Sequence, residues 1–276
     1  MARLSLGEAG RPCKIDQSYT LLIDLDGVMW LGSKPLWDNI EAVKMLSEKG
    51  YRILFLTNNS TRSRRSYSDR LRSLGVSADA GDIVTSGYLA SMWLAQKQGA
   101  SRVYALGEEG LVEELILAGH KVLAMDEWQY SDAVVVGLDR GISYPKLRAA
   151  ARALIKGSLF IATNTDHILP VEDGADPGAG CLVKALEVAS GRNPDFIAGK
   201  PNPWVISYIA DKLEIDRGRI AVVGDRVDTD MRLAAEAGVI GVLVLTGLAK
   251  TEDLKAISYR DIYVVKTLKE LAWICI

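Results

Sequence analysis

"YTLLIDLDGVMW", residues 19–30, decides how this chain is read. Leu21, Leu22 and Ile23 form an apolar run with no alternation, as in a strand buried on both faces. Asp24 ends the run, Asp26 follows one residue later, and Gly27 signals a turn. A carboxylate at the edge of a core is costly without a partner. The stretch therefore asks what a strand end would do with two of them.

Working outward, short apolar runs recur at 20–23, 52–56, 103–106, 133–136, 159–162, 220–223, 239–245 and 262–265. Helix-like segments lie between them at 39–49, 66–74, 89–97, 110–118, 146–156, 182–189, 204–212 and 231–237. Asn202 before Pro203 is a helix start, a capping side chain followed by proline at the first helical position. Strands rich in Val, Ile and Leu, alternating with helices, predict an α/β protein with a doubly wound, Rossmann-like parallel sheet. No internal repeat or low-complexity segment is present.

In open α/β sheets, ligands bind beyond the carboxyl ends of the strands. Asp24 and Asp26 follow the first run. Thr57, Asn58 and Asn59 follow the second. "GDRVDTD", residues 224–230, follows the run at 220–223 and carries Asp225, Asp228 and Asp230. "GKPNP", residues 199–203, supplies Lys200 just before a helix. One sheet edge thus gathers carboxylates, a hydroxyl, two amides and an ammonium.

Such an edge needs positive charge. Two unit charges about 4 Å apart interact by roughly 4 kcal/mol at an effective dielectric of 20. All the candidate ligands are oxygens, which points to Mg²⁺, an ion that keeps open positions for a substrate phosphate. Lys200, Thr57 and the amides add donors suited to a phosphoryl group. Two aspartates at i and i+2 can then divide the work. Asp24, rigid at the strand end, would attack phosphorus. Asp26, past the turn, would protonate the leaving group and later deprotonate water.

The composition fits. The chain has 276 residues, 49% hydrophobic and 25% charged, as in soluble globular proteins large enough for two domains. Thirty-three basic and 35 acidic residues give a net charge of −2, so no polyanion-binding surface is indicated and nucleic acid is not an expected partner. No apolar run reaches membrane-spanning length, and the first residues lack an apolar core of signal-peptide length. No membrane partner is expected, and the expected location is cytoplasmic. Cys13, Cys181 and Cys275 are odd in number with no CxxC, so neither a disulfide framework nor a zinc site is indicated.

Four segments, "DLDGVMW", "FLTNNST", "GKPNP" and "GDRVDTD", resemble in order the motifs of the haloacid dehalogenase-type (HAD) phosphatases. The nearest subgroup is that of the NagD, p-nitrophenyl phosphatase and phosphoglycolate phosphatase enzymes. "IATNTDHILPVEDGADPGAGCL", residues 161–182, is similar to that subgroup's cap region. The resemblance runs from about residue 19 to about 247; residues 1–18 lie outside it. It implies Asp24 as nucleophile and Asp26 as acid/base. It also implies Mg²⁺ ligation by Asp24, the Asp26 backbone carbonyl and Asp225, with Asp230 in support. Thr57, Asn58, Asn59 and Lys200 would hold the phosphate. The catalytic core would comprise 1–86 and 196–276, with an inserted α/β cap of the C2 type at 87–195. A homodimer through the caps is implied as well.

Asp166, His167 and Leu169, in the cap loop 164–170, are expected over the phosphate site and against the leaving group. The substrate would then be a small phosphorylated metabolite. A phosphotransferase with the same intermediate, or a noncatalytic phosphate- or metal-responsive module, are the alternatives. Plainer roles are expected elsewhere. Asp228 reads as a helix cap, and His120 as a surface or turn residue. Arg62, Arg64 and Arg65 read as a solvated helix face, and Trp30, Trp37 and Trp204 as packing. His167 is left between substrate contact and solvent.

Overall fold

Leu21 and Ile23 pack into one apolar cluster and Leu22 into another, so a single strand serves two cores. Ala221 and Val223 share the first cluster, while Ile220 and Val222 share the second. In this computed structural model, which describes residues 4–5, 14–171, 174–249, 253 and 261–274, these strands lie at the centre of a seven-stranded parallel sheet. Its order is Leu4–Ser5, Ile262–Val265, Ile240–Val244, Ile220–Gly224, Thr20–Ile23, Arg52–Thr57, Ile83–Thr85. Helices Trp37–Glu48 and Leu268–Ile274 cover one face through Ile40, Val43, Leu46 and Leu271. Helices Ser86–Gln98 and Trp204–Leu213 cover the other through Leu89, Leu94, Val205 and Ile209.

A second parallel sheet has the order Phe196–Ile197, Leu159–Ala162, Ala133–Val136, Arg102–Leu106, Lys121–Val122. Helices Tyr144–Lys156 and Ala179–Ser190 cover its outer face through Leu154, Val183 and Leu186. Its inner face supplies Val103, Val135 and Ile161 to the apolar cluster that also holds Leu22 and Leu89. One continuous core therefore joins the two sheets, with helix Ser86–Gln98 contributing to it. The expected boundary at 87 falls inside that helix, and Phe196–Ile197 carries the second sheet two residues past the expected boundary at 195.

All eight expected strands and all eight expected helices are present, within a few residues at their ends. Asn202 Oδ1 accepts from the Trp204 amide at 3.0 Å, as a cap should. The strand Ile83–Thr85 and the antiparallel pair Ile168–Val171 and Gly174–Pro177 were not expected. No helix among the described residues is long and apolar enough to cross a membrane.

Several plain readings need correction. His120 is buried: Nδ1 accepts from the Ser101 amide at 3.2 Å, so Nε2 carries the proton and faces Ser91 O at 3.0 Å. A histidine that satisfies two backbone groups fits a core, which its turn-like sequence context concealed. Arg64 is not on a solvated face; it bonds buried Glu114 at 2.9 Å and lies over the Tyr88 ring. Trp37 is exposed, whereas Trp30 is fully buried and Trp204 stacks on Tyr208. Asp228 makes no cap and pairs with Arg226 instead. Cys13 and Cys275 lie outside the described residues.

Candidate active site

The two central strands, Thr20–Ile23 and Ile220–Gly224, sit where the chain's winding direction reverses. Crevices form at such switch points. The register pairs Val223 with Ile23, and the Asp24 amide donates to Val223 O at 2.8 Å. Asp24 and Asp225 therefore leave neighbouring strands side by side. Oxygens of Asp24, Asp225 and Asp230, all buried, lie within 4.8 Å of one another.

Lys200 is the counter-charge. Its Nζ lies 2.7 Å from Asp230 Oδ1 and 2.9 Å from Asp24 Oδ1. Burial alone would lower its pKa, but Asp230 and Asp24 overturn that and hold it above the ordinary lysine value. Burial pushes Asp24 well up, and neighbouring Asp230 and Asp225 add to this against the pull of Lys200. Burial, reinforced by Asp230, raises Asp225 to about 7.

One ammonium does not offset three carboxylates. Asp225 Oδ2 accepts from the Leu248 amide at 2.7 Å, but Oδ1 is buried with no hydrogen-bond partner among the described residues. An unsatisfied buried acceptor of this kind is expensive. The oxygen-only donor set and this unpartnered atom fit a hard divalent cation. Glycines make the space: a Cβ on Gly27 would fall 2.3 Å, and one on Gly247 1.9 Å, from Asp225 Oδ2. Gly27 also has a φ of +86°, which glycine adopts without steric cost. This explains why a glycine follows the aspartate pair.

Asp26 stands apart from the carboxylate cluster. The Trp30 indole donates to its Oδ1 at 2.9 Å, and the Gly27 amide closes the turn onto Trp30 O. Burial raises its pKa, with Trp30 and the charge of Arg70 opposing. A carboxyl shifted upward in this way suits an acid/base group. Asp24 Oδ1 takes both the Leu25 amide and Lys200. Asp24 Oδ2 has no hydrogen bond among the described residues.

Asp24, Asp26, Thr57, Asn58, Asn59, Lys200 and Asp225 all line one cleft, together with Asp166 and Leu169 of the second unit. Asp230 is fully buried behind them. Asn58, expected on the phosphate, is otherwise engaged: its amide accepts from the Lys200 amide at 2.8 Å and donates to Lys200 O at 3.0 Å. It sets the lysine's backbone, which explains a polar side chain buried at that position. Thr57 Oγ1 accepts from the Asn59 amide at 3.0 Å and shapes the loop.

Asp166, expected against the leaving group, instead turns to the first unit. It accepts from Asn58 Nδ2 at 3.0 Å and lies 3.5 Å from Arg226 Nη1. His167 is exposed, and its carbonyl accepts from the Gly178 amide. Sequence reasoning missed Arg226 and placed Asn164 only in the polar head of the cap loop; the Asn164 amide donates to Asn58 O at 2.7 Å. Both stood inside quoted motifs, and only the tertiary contact between the units gives them a role.

Two family models match the chain, a haloacid dehalogenase-like hydrolase over residues 21–121 and a HAD-hydrolase-like model over 197–271. The p-nitrophenyl phosphatase of Archaeoglobus fulgidus superposes with a TM-score of 0.85 at 38% identity, covering 94% of this chain and 99% of that one. A glycerol phosphate phosphatase from Mycobacterium tuberculosis, in complex with magnesium, gives 0.85 at 35% identity, covering 95% and 78%. A chloroplastic phosphoglycolate phosphatase of Arabidopsis thaliana is 35% identical over 263 residues, which is 88% of this chain and 72% of that one. The chain belongs to the haloacid dehalogenase-like hydrolases, among the NagD-type and p-nitrophenyl phosphatases.

Proposed function

We propose that this phosphatase hydrolyses small phosphomonoesters through a phosphorylated Asp24, with Asp26 as acid and base. The observation that carries the reading is the buried set of Asp24, Asp225, Asp230 and Lys200 beside a separately held Asp26. Asp24 Oδ2 attacks phosphorus while Oδ1 stays fixed by Leu25 N and Lys200. The bond from phosphorus to the leaving oxygen breaks, and Asp26 donates its proton to that oxygen. Asp26 then takes a proton from water, which attacks phosphorus and releases phosphate from Asp24. Lys200 neutralises charge in a site poor in water, where such stabilisation is strong.

Asp24, Asp225 and the Asp26 backbone carbonyl would hold Mg²⁺. The ion, when bound, would offset carboxylate and phosphoryl charge. Asp230 supports the site from behind through Lys200 and the Arg226 amide. The relative described in complex with magnesium supports this choice of metal.

The seven-stranded unit serves as catalytic core and the five-stranded unit as cap. Leu169 lines the cleft, which supports its meeting the leaving group. The cap's outer elements expose Tyr130, Tyr144, Ile155 and Val188, which supports a homodimer through the caps. Turnover of p-nitrophenyl phosphate with Mg²⁺, lost on chelation and restored by Mg²⁺, tests the activity. Absence of turnover with Mg²⁺ present would overturn it.

A further inference from the structure

A second cleft, of about 520 Å³, opens beside the first and shares Asp26, Asn59 and Leu169 with it. It begins at the residue assigned to the leaving group. Its walls come from both units: Arg62, Tyr67 and Arg70 from one, Arg140 and Leu169 from the other.

Three guanidinium groups line this space, and among the described residues that line it Asp26 is the one acidic side chain. Arg140 is held by Glu108 through paired bonds of 2.8 and 2.6 Å. Arg70 lies over the Trp30 ring at 3.8 Å and donates to Gly32 O at 2.7 Å, without a carboxylate at ion-pair distance. Arg62 is exposed and has no ion pair or side-chain hydrogen bond among the described residues. Arg62 and Arg70, neither in an ion pair among the described residues, favour an anion between them.

A second observation is independent of charge. Tyr67 is 2% exposed, and its Oη is buried with no hydrogen-bond partner among the described residues. Buried hydroxyls are nearly always paired. Burial and the Asp26 charge keep this phenol protonated, so it remains a donor. A donor without an acceptor, beside the guanidinium groups of Arg62 and Arg70 with no ion pair among the described residues, points to a bound anion.

We propose that this cleft is a second anion subsite, in which Tyr67, Arg62, Arg70 and Arg140 receive a negatively charged group on the leaving portion of the substrate. The assignment rests on the hydrolase reading for the position of the phosphate. A carboxylate and a second phosphate share the required chemistry. If the arginines serve only to hold Asp26 and the cap, ligands with and without the second anion will bind alike.

Phosphonates, which cannot be hydrolysed, separate subsite from turnover. Calorimetry with Mg²⁺ would compare n-propylphosphonate, 3-phosphonopropionate and propane-1,3-bisphosphonate. The wild-type chain should bind one of the last two about tenfold or more tighter than the first, as expected of charge-assisted hydrogen bonds. Which of the two wins identifies carboxylate or phosphate. Arg62→Ala and Tyr67→Phe should each cut that ratio by about threefold or more, and added salt should shrink it. A wild-type ratio of one, or a ratio unchanged in both variants, would overturn the subsite. p-Nitrophenyl phosphate turnover with a ratio of one would overturn the subsite and leave the hydrolase reading standing. If none of the three phosphonates binds, the subsite falls, and the hydrolase reading falls with it only where p-nitrophenyl phosphate turnover is absent as well.

Discussion

The Lys200 ammonium lies 2.9 Å from Asp24 Oδ1, with both side chains more than nine-tenths buried. The lysine is also the closest counter-charge to Asp230. Removing one partner of a buried pair strands the other, at a cost of about 3–5 kcal/mol. Lys200→Ala should therefore lower the urea midpoint of the metal-free protein as well as its kcat/KM. An unchanged midpoint would mean that the lysine does not neutralise this cluster.

Asp24→Asn should remove turnover without loss of thermal stability, because the amide is a poor nucleophile and relieves repulsion among the carboxylates while Lys200 keeps Asp230 as its partner. Asp26→Asn should retain the fold and lower kcat by about 10²–10⁴, the range for lost general acid–base help. Steady-state kinetics beside circular dichroism melts would check both.

The unpartnered Asp225 Oδ1 predicts a thermodynamic response to metal. Added Mg²⁺ should raise the wild-type melting temperature, and do so less in Asp225→Asn. Gly247→Ala places a Cβ at 1.9 Å from Asp225 Oδ2 and should also blunt the response. Equal shifts in all three proteins would place the ion elsewhere.

Asp166 and Leu169 should separate in their effects. Asp166→Ala frees the cap loop from Asn58 and Arg226, and should raise KM for a whole substrate panel alike. Leu169 lines both clefts, so Leu169→Ala should reorder the panel. Sugar, glycolate, glycerol and pyridoxal phosphates would serve.

The central strands were legible because both of their faces are buried, which leaves unbroken apolar runs such as Leu21–Leu22–Ile23. Asp24 and Asp225 were legible because charges at the ends of such runs need a reason, and Lys200 because it stands in a polar turn just before a helix start. Ile83–Thr85 escaped notice as a three-residue edge strand. The hairpin at 168–177 carries proline, aspartate and glycine, which mask a strand pattern. His120 and Arg64 were misread because their partners, Ser91 and Glu114, come from other elements. The second cleft was hidden for the same reason. Tyr67 and Arg70 share a helix face at i and i+3, a visible signal, but Arg140 joins them only through the packing of the five-stranded unit on the seven-stranded one.

The central claim is that Asp24 carries the phosphoryl group. Asp26→Asn with p-nitrophenyl phosphate tests it most directly, because this leaving group needs little protonation whereas water attack loses its base. The intermediate should then accumulate, and borohydride reduction would convert an aspartyl phosphate to homoserine. Peptide mass spectrometry after such a quench should find homoserine at position 24, dependent on substrate and Mg²⁺. Continued turnover with Asp24 unmodified, or the label on another side chain, would contradict the account.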